Sequence, residues 1–157
     1  MNQITTAGID LAKHVFSAHG VDSAGRMVLR KTVRRGELEA TAAQLVPCLI
    51  GMEACPGAHE WARRFARHGH RVKLMAPKFV ASYRTGGKND GNDAAAICEA
   101  VSRAQVRAIP VKSAEQKAVL CLHRARQGFV EERTATHARI VWAMLAKNQP
   151  LDAAAMR

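Results

Sequence analysis

Two short apolar runs each end on a carboxylate, and no other feature of the chain limits its fold so tightly. Residues 4–10 close on Asp10 in Gly8-Ile9-Asp10, and residues 48–53 close on Glu53 in Gly51-Met52-Glu53. Both runs are too short for helices and are flanked by turn residues, the pattern of buried strands. Between them, residues 14–20 and 26–33 alternate in polarity on either side of the turn cluster Asp22-Ser23-Ala24-Gly25. Three strands with short turns predict an antiparallel meander. A helix is expected over residues 37–46, ended by Pro47.

Past Glu53, Pro56 is placed to open a helix that reaches about residue 68. Trp61 and Phe65 stack on it at i, i+4, and Gly69 suits its C-terminal cap. Residues 71–75 read as a fifth strand. Residues 83–92 read as a polar, glycine-rich mobile loop, and Asp90 or Asn92 as the start of a helix to about Ser102. Residues 108–111 are short and extended around Pro110, and residues 113–147 read as one long helix. Three strands, helix, strand, helix, strand, helix is the element order of an RNase H-like α/β fold. The expectation is a mixed five-stranded sheet with flanking helices over residues 1–111, then a helical segment over 112–157.

The acids carry the chemistry. In this topology the strands ending on Asp10 and Glu53 are neighbours, so their carboxylates emerge at one sheet edge. Asp90 and Asp93 stand i, i+3 at a helix start and share a face. Each has a plain structural role open to it: a turn cap for Asp10, an exposed strand end for Glu53, an N-cap or first-turn acid for Asp90 and Asp93. Together they would repel. Two unit charges ~4 Å apart cost about 4 kcal/mol at an effective dielectric of ~20, which a divalent cation removes. Mg²⁺ or Mn²⁺ on such acids can assist displacement at a phosphodiester.

Charge points to a polyanionic partner. The chain has 24 Lys and Arg against 13 Asp and Glu, a net charge of +11. Residues 54–112 hold 11 basic and 4 acidic side chains, so the excess concentrates there. Arg63, Arg64, Arg67, Lys78, Arg84 and Lys88, with Lys13 after the first strand, are the candidate phosphate contacts. The alternative is a solvated basic face. Cys48, Cys98 and Cys121 read as small core residues, with no zinc spacing. His59, His68 and His70 read as lying on a surface helix and its cap. No apolar run approaches ~18 residues and no secretory segment opens the chain, so a cytoplasmic protein without a membrane span is expected.

Gly8-Ile9-Asp10-Leu11-Ala12-Lys13, Gly51-Met52-Glu53-Ala54 and Lys88-Asn89-Asp90-Gly91-Asn92-Asp93-Ala94 resemble, in order, motifs of the DEDD transposases of the IS one-ten insertion-sequence family. The likeness covers essentially the whole chain. It implies a RuvC-like domain whose four acids, Asp10, Glu53, Asp90 and Asp93, bind Mg²⁺ and cut DNA. It also implies a coiled-coil-like helical segment, here over 112–157, recombination guided by a structured bridge RNA, and homo-oligomers formed through those helices. Family members carry a C-terminal domain with a serine nucleophile, which these 157 residues do not include. A catalytically incomplete nucleic-acid-binding fragment is therefore the alternative. An actin-like or sugar-kinase-fold ATPase is a further one, opposed by the lack of glycine in Leu11-Ala12-Lys13-His14.

Overall fold

A computed structural model of the chain describes residues 3–84 and 89–147. The meander forms as expected, from β1 (Thr6–Leu11), β2 (Val15–Val21) and β3 (Met27–Arg34). Asp22 builds the β2–β3 turn. Its carboxylate accepts the backbone N–H of Ala24 at 2.9 Å and of Arg26 at 3.0 Å, an Asx-type turn. Gly25 supplies the left-handed residue, with φ 75°.

β4 (Leu49–Glu53) pairs in parallel with β1, and β5 (Arg71–Met75) pairs in parallel with β4. The sheet order is β3-β2-β1-β4-β5-β6. The expected five strands are thus six. β6 (Ala108–Ile109) is a two-residue antiparallel addition beside β5, cut short by Pro110, which has no N–H for a ladder.

The helices differ from expectation mainly at their ends. A 3₁₀ turn over Arg35–Glu37 leads into α1 (Leu38–Ala43), so the helix stops well before Pro47. α2 (Ala58–Arg67) has Gly57 at its N-cap, and Pro56 precedes the helix rather than opening it. Gly69 takes φ 85° after α2, as a C-terminal cap requires. α3 (Pro77–Ala81) was not expected, although Pro77 in its first turn is a recognisable start. α4 (Asp90–Ser102) follows. Residues 85–88 of the expected loop lie outside the described residues.

Strand periodicity sorts the side chains onto two faces. Ala7, Ile9, Phe16, Val33, Ile50, Met52 and Leu74 join Trp61 and Phe65 of α2 in one core. Phe16 meets Trp61 edge-on, with ring centroids 5.5 Å apart, and Trp61 tilts against Phe65 at 5.7 Å. Each such side chain contributes roughly 1.5–3 kcal/mol on burial. The opposite face is covered by α3 and α4, where Met75, Val80, Ile97 and Val101 form the second core.

His59 and His70 are buried, not on the surface as the sequence suggested. His70 Nδ1 accepts the Cys48 N–H at 3.2 Å, which leaves Nε2–H to donate to the Ala42 carbonyl at 3.0 Å. A histidine satisfied at both nitrogens can occupy a core. Cys48 and Cys98 are buried as expected, but Cys121 is exposed on α5 (Ala114–Lys147). The chain divides into two compact units, one up to Lys112 and one from Ser113 on. The second consists, in its described part, of α5, which exposes Val119, Leu122, Phe129, Val141, Trp142 and Leu145. No helix among the described residues is long and apolar enough to cross a membrane.

Candidate metal centre and nucleic-acid interface

Gly8 and Asp10 lie two apart on β1, and Gly51 and Glu53 two apart on β4, so each glycine shares a face with its acid. Gly8 is the register partner of Gly51 in the parallel ladder, and Ile9 of Met52. One step further along the same ladder direction come Asp10 and Glu53, side by side at the ends of the two central strands.

α4 rests on the two glycines. A Cβ on Gly8 would fall 2.9 Å from Cys98 Cα, and closer still to the Ala94 carbonyl and the Cys98 N–H. A Cβ on Gly51 would fall 2.7 Å from Val101 Cβ. The helix therefore crosses β1 at Ala94 and Cys98, in near backbone contact, and β4 through the Val101 side chain. Its first turn, with Asp90 and Asp93, comes to the end of β1 where Asp10 stands. Asn89 is the N-cap, its side chain accepting the Asn92 N–H at 2.8 Å. That leaves Asp90 and Asp93 in the first turn without a capping duty.

Three of the acids act on the fourth. Asp10 is half-buried and its carboxyl is pushed up to about 6, first by burial, then by the negative charges of Asp93, Glu53 and Asp90. Arg84 opposes the rise. Asp93 is buried and forms an ion pair with Arg84. The paired atoms, Arg84 Nε and Asp93 Oδ1, are both shut off from solvent and lack an aligned hydrogen bond. They meet as charges rather than as an aligned hydrogen bond, and Arg84 is the counter-ion of Asp93.

Among the described residues, no three Asp, Glu, His or Cys side chains stand close enough to grip one ion as they are placed. The cluster is coupled but open. Its donors are all carboxylate oxygens, the type that suits Mg²⁺ and Mn²⁺. Mg²⁺ is commonly held by one or two carboxylates, with water and substrate phosphate completing its shell. In donor chemistry, the residues present fit such an ion.

The basic candidates fall into two groups. Lys13 and Lys78 are exposed, Lys78 over the Phe79 ring at 5.1 Å. Arg63, Arg64 and Arg67 instead form an ion-pair network on α2. Arg63 binds Glu60 and the Lys112 carbonyl, Arg64 binds Glu60 at 3.1 Å and Glu39 at 3.3 Å, and Arg67 reaches Glu39 at 4.0 Å. Half-exposed pairs of this kind are worth little each, but they reduce the free charge of that face. Arg84 is turned onto Asp93. Lys88 lies outside the described residues.

Sequence reasoning passed over the glycine shelf, although the repeated Gly-x-acid pattern signals it. It also missed the Arg84–Asp93 pair, which no periodicity announces.

A mixed sheet in this order, with an acid at the end of each central strand and two more on the helix that crosses them, defines an RNase H-like domain. The chain belongs to the IS110-type DEDD transposase family, whose model, described as a transposase, matches residues 7–147. Membership sets aside the actin-like and sugar-kinase alternative. The chain is 50% identical, over 84% of its length, to a Pseudomonas aeruginosa protein named "Probable family 20 transposase". It is 41% identical over 85% of its length to a Yersinia enterocolitica transposase for insertion sequence element IS1328. It is 40% identical over 86% to a Coxiella burnetii transposase for element IS1111A. The chain spans 39%, 40% and 37% of the length of those three relatives.

Proposed function

We propose that this domain cuts nucleic-acid strands with the help of Mg²⁺ or Mn²⁺, as the catalytic part of an insertion-sequence transposase acting on DNA. The observation that carries the reading is the raised Asp10 carboxyl, coupled at once to Asp93, Glu53 and Asp90. Three carboxylates raise that of Asp10 against the opposing charge of Arg84, and such an excess of negative charge suits a cation from solution.

Asp10, Glu53, Asp90 and Asp93 would supply the ligands, one or two carboxylates to an ion, with water and substrate phosphate completing its shell. When bound, the metal would polarise the scissile phosphate and acidify attacking water. The chain's own residues set the conditions. α4 on its glycine shelf fixes Asp93 beside Asp10 and holds both partly away from water. Arg84 balances charge in the cluster until a stronger cation replaces it. Exposed Lys13 and Lys78 are placed to attract the strand.

The resemblance of the three motifs adds a structured bridge RNA as guide, and self-association through α5. On α5, Leu122, Ala125, Phe129 and Val130 line a shallow apolar patch with Arg126 and Arg133, the kind of surface that favours an interface. The competing reading is a binding fragment that needs no metal.

Nicking of supercoiled DNA by the full chain tests the proposal. Activity is expected with Mg²⁺ or Mn²⁺, none in EDTA, and loss in Asp10→Asn and Glu53→Gln. Nicking that is equal in EDTA, or equal in the variants, contradicts it.

A further inference from the structure

We infer that Arg30, with the hydroxyls of Ser17 and Thr32, forms a subsite for one phosphodiester of a nucleic-acid strand, on the β2–β3 side of the acidic cluster. The inference rests on the nucleic-acid reading above and adds the group that holds the strand beside the acids.

Register brings these residues together. Asp10 pairs with Ser17, and Ser17 with Thr32, so the three form one cross-strand row on the face that α4 covers. Arg30 stands two residues from Thr32 and shares that face. A cavity of about 210 Å³ lies there, lined by Ser17, Arg30, Thr32, Asp90 and Gly91 among others. It therefore opens directly beside the first turn of α4.

Arg30 is positioned, not merely exposed. A Cβ on Gly91 would fall 2.8 Å from its Nη2, so glycine at that position lets the guanidinium lie against the helix turn. Asp90 lines the same cavity, yet among the described residues Arg30 forms no ion pair with it or with any other acid. An uncommitted guanidinium with two hydroxyls offers a forked set of donors matched to phosphate oxygens. Its place beside four acids matters, because a phosphodiester drawn toward them is otherwise repelled. The alternative is that Arg30 acts only as a counter-ion for the first turn of α4.

Titrating a fluorescein-labelled DNA duplex with the full chain in EDTA, over a range of KCl, separates these. Arg30→Ala is expected to weaken binding about tenfold and to flatten the log–log salt slope by about 0.9, the value for one phosphate contact. Arg30→Lys should keep the slope while losing the forked geometry and part of the affinity. Thr32→Val should weaken binding about twofold with an unchanged slope. Melting temperatures of all three are expected to match the wild type. If Arg30→Ala keeps wild-type affinity and slope, the subsite is overturned while nucleic-acid binding stands. A shifted melting temperature with an unchanged slope makes Arg30 a helix counter-ion and also overturns it. A wild-type chain without salt-dependent binding removes the nucleic-acid reading itself, and the subsite with it.

Discussion

Gly8 and Cys98 meet backbone to backbone: a single added methyl group on Gly8 would fall 2.9 Å from Cys98 Cα. That contact sets the height of α4 above the sheet, and with it the distance from Asp93 to Asp10. Packing and site chemistry thus depend on the same pair.

Gly8→Ala is expected to be costly for this reason. The neighbouring atoms are helix backbone, which cannot rotate away, so the cost should reach or exceed the about 1–3 kcal/mol typical of overpacking. Urea denaturation of the full chain in EDTA checks this. A change below about 0.5 kcal/mol would mean that α4 is not seated on the shelf.

The raised Asp10 carboxyl makes stability depend on pH. Its folded value, about 6, lies above the ordinary 3.8. The folded state therefore holds the proton more tightly than the unfolded state, and ionising Asp10 destabilises the fold. In EDTA the melting temperature should fall as pH rises from about 4 through about 6. Asp10→Asn should melt higher than the wild type at pH 7.5 in EDTA, with the advantage shrinking at pH 5. A variant that melts lower at pH 7.5 would make Asp10 a structural cap. Asp93→Asn is a less clean probe, because it strands Arg84.

Arg84 and an added cation compete for Asp93. Arg84→Ala should lose stability in EDTA, since Asp93 is left buried without its counter-charge. The same variant should bind Mg²⁺ more tightly, by a factor of about three to ten, because Asp93 no longer has to part from Arg84. Calorimetric titration at one pH measures both chains. Weaker Mg²⁺ binding by the variant would show that Arg84 supports the ion instead of yielding to it.

Much of the architecture was legible because strand residues announce themselves by period and by their end residues. β5 matches its expected bounds, Arg71–Met75. The meander and the acid-ended central strands follow from alternation and from turn chemistry at Asp22 and Gly25. Short elements escaped. β6 has two residues and no period, and α3 is a single turn and a half whose apolar residues serve the second core. The helix expected over residues 37–46 was drawn too long, because apolar spacing continues past Ala43 after the hydrogen-bonded turns have ended.

The site divides the same way. Its acids were visible as types at strand and helix ends. Their coupling, the glycine shelf and the Arg84–Asp93 pair depend on contacts between elements far apart in sequence. His59 and His70 were misplaced for a related reason: polarity suggested the surface, whereas partners for both His70 nitrogens allowed burial. Cys121 was misplaced in the other direction, because an apolar helix residue is buried only where something covers it.

Asp10, Glu53, Asp90 and Asp93 are expected to act as one divalent-metal site. Isothermal calorimetry of Mn²⁺ binding at pH 7.5, wild type against Asp10→Asn, puts this to the test. The wild-type chain should bind, and the variant should bind at least about tenfold more weakly, because Mg²⁺-type sites rest on only one or two carboxylates per ion. Equal affinity in the two chains would contradict it.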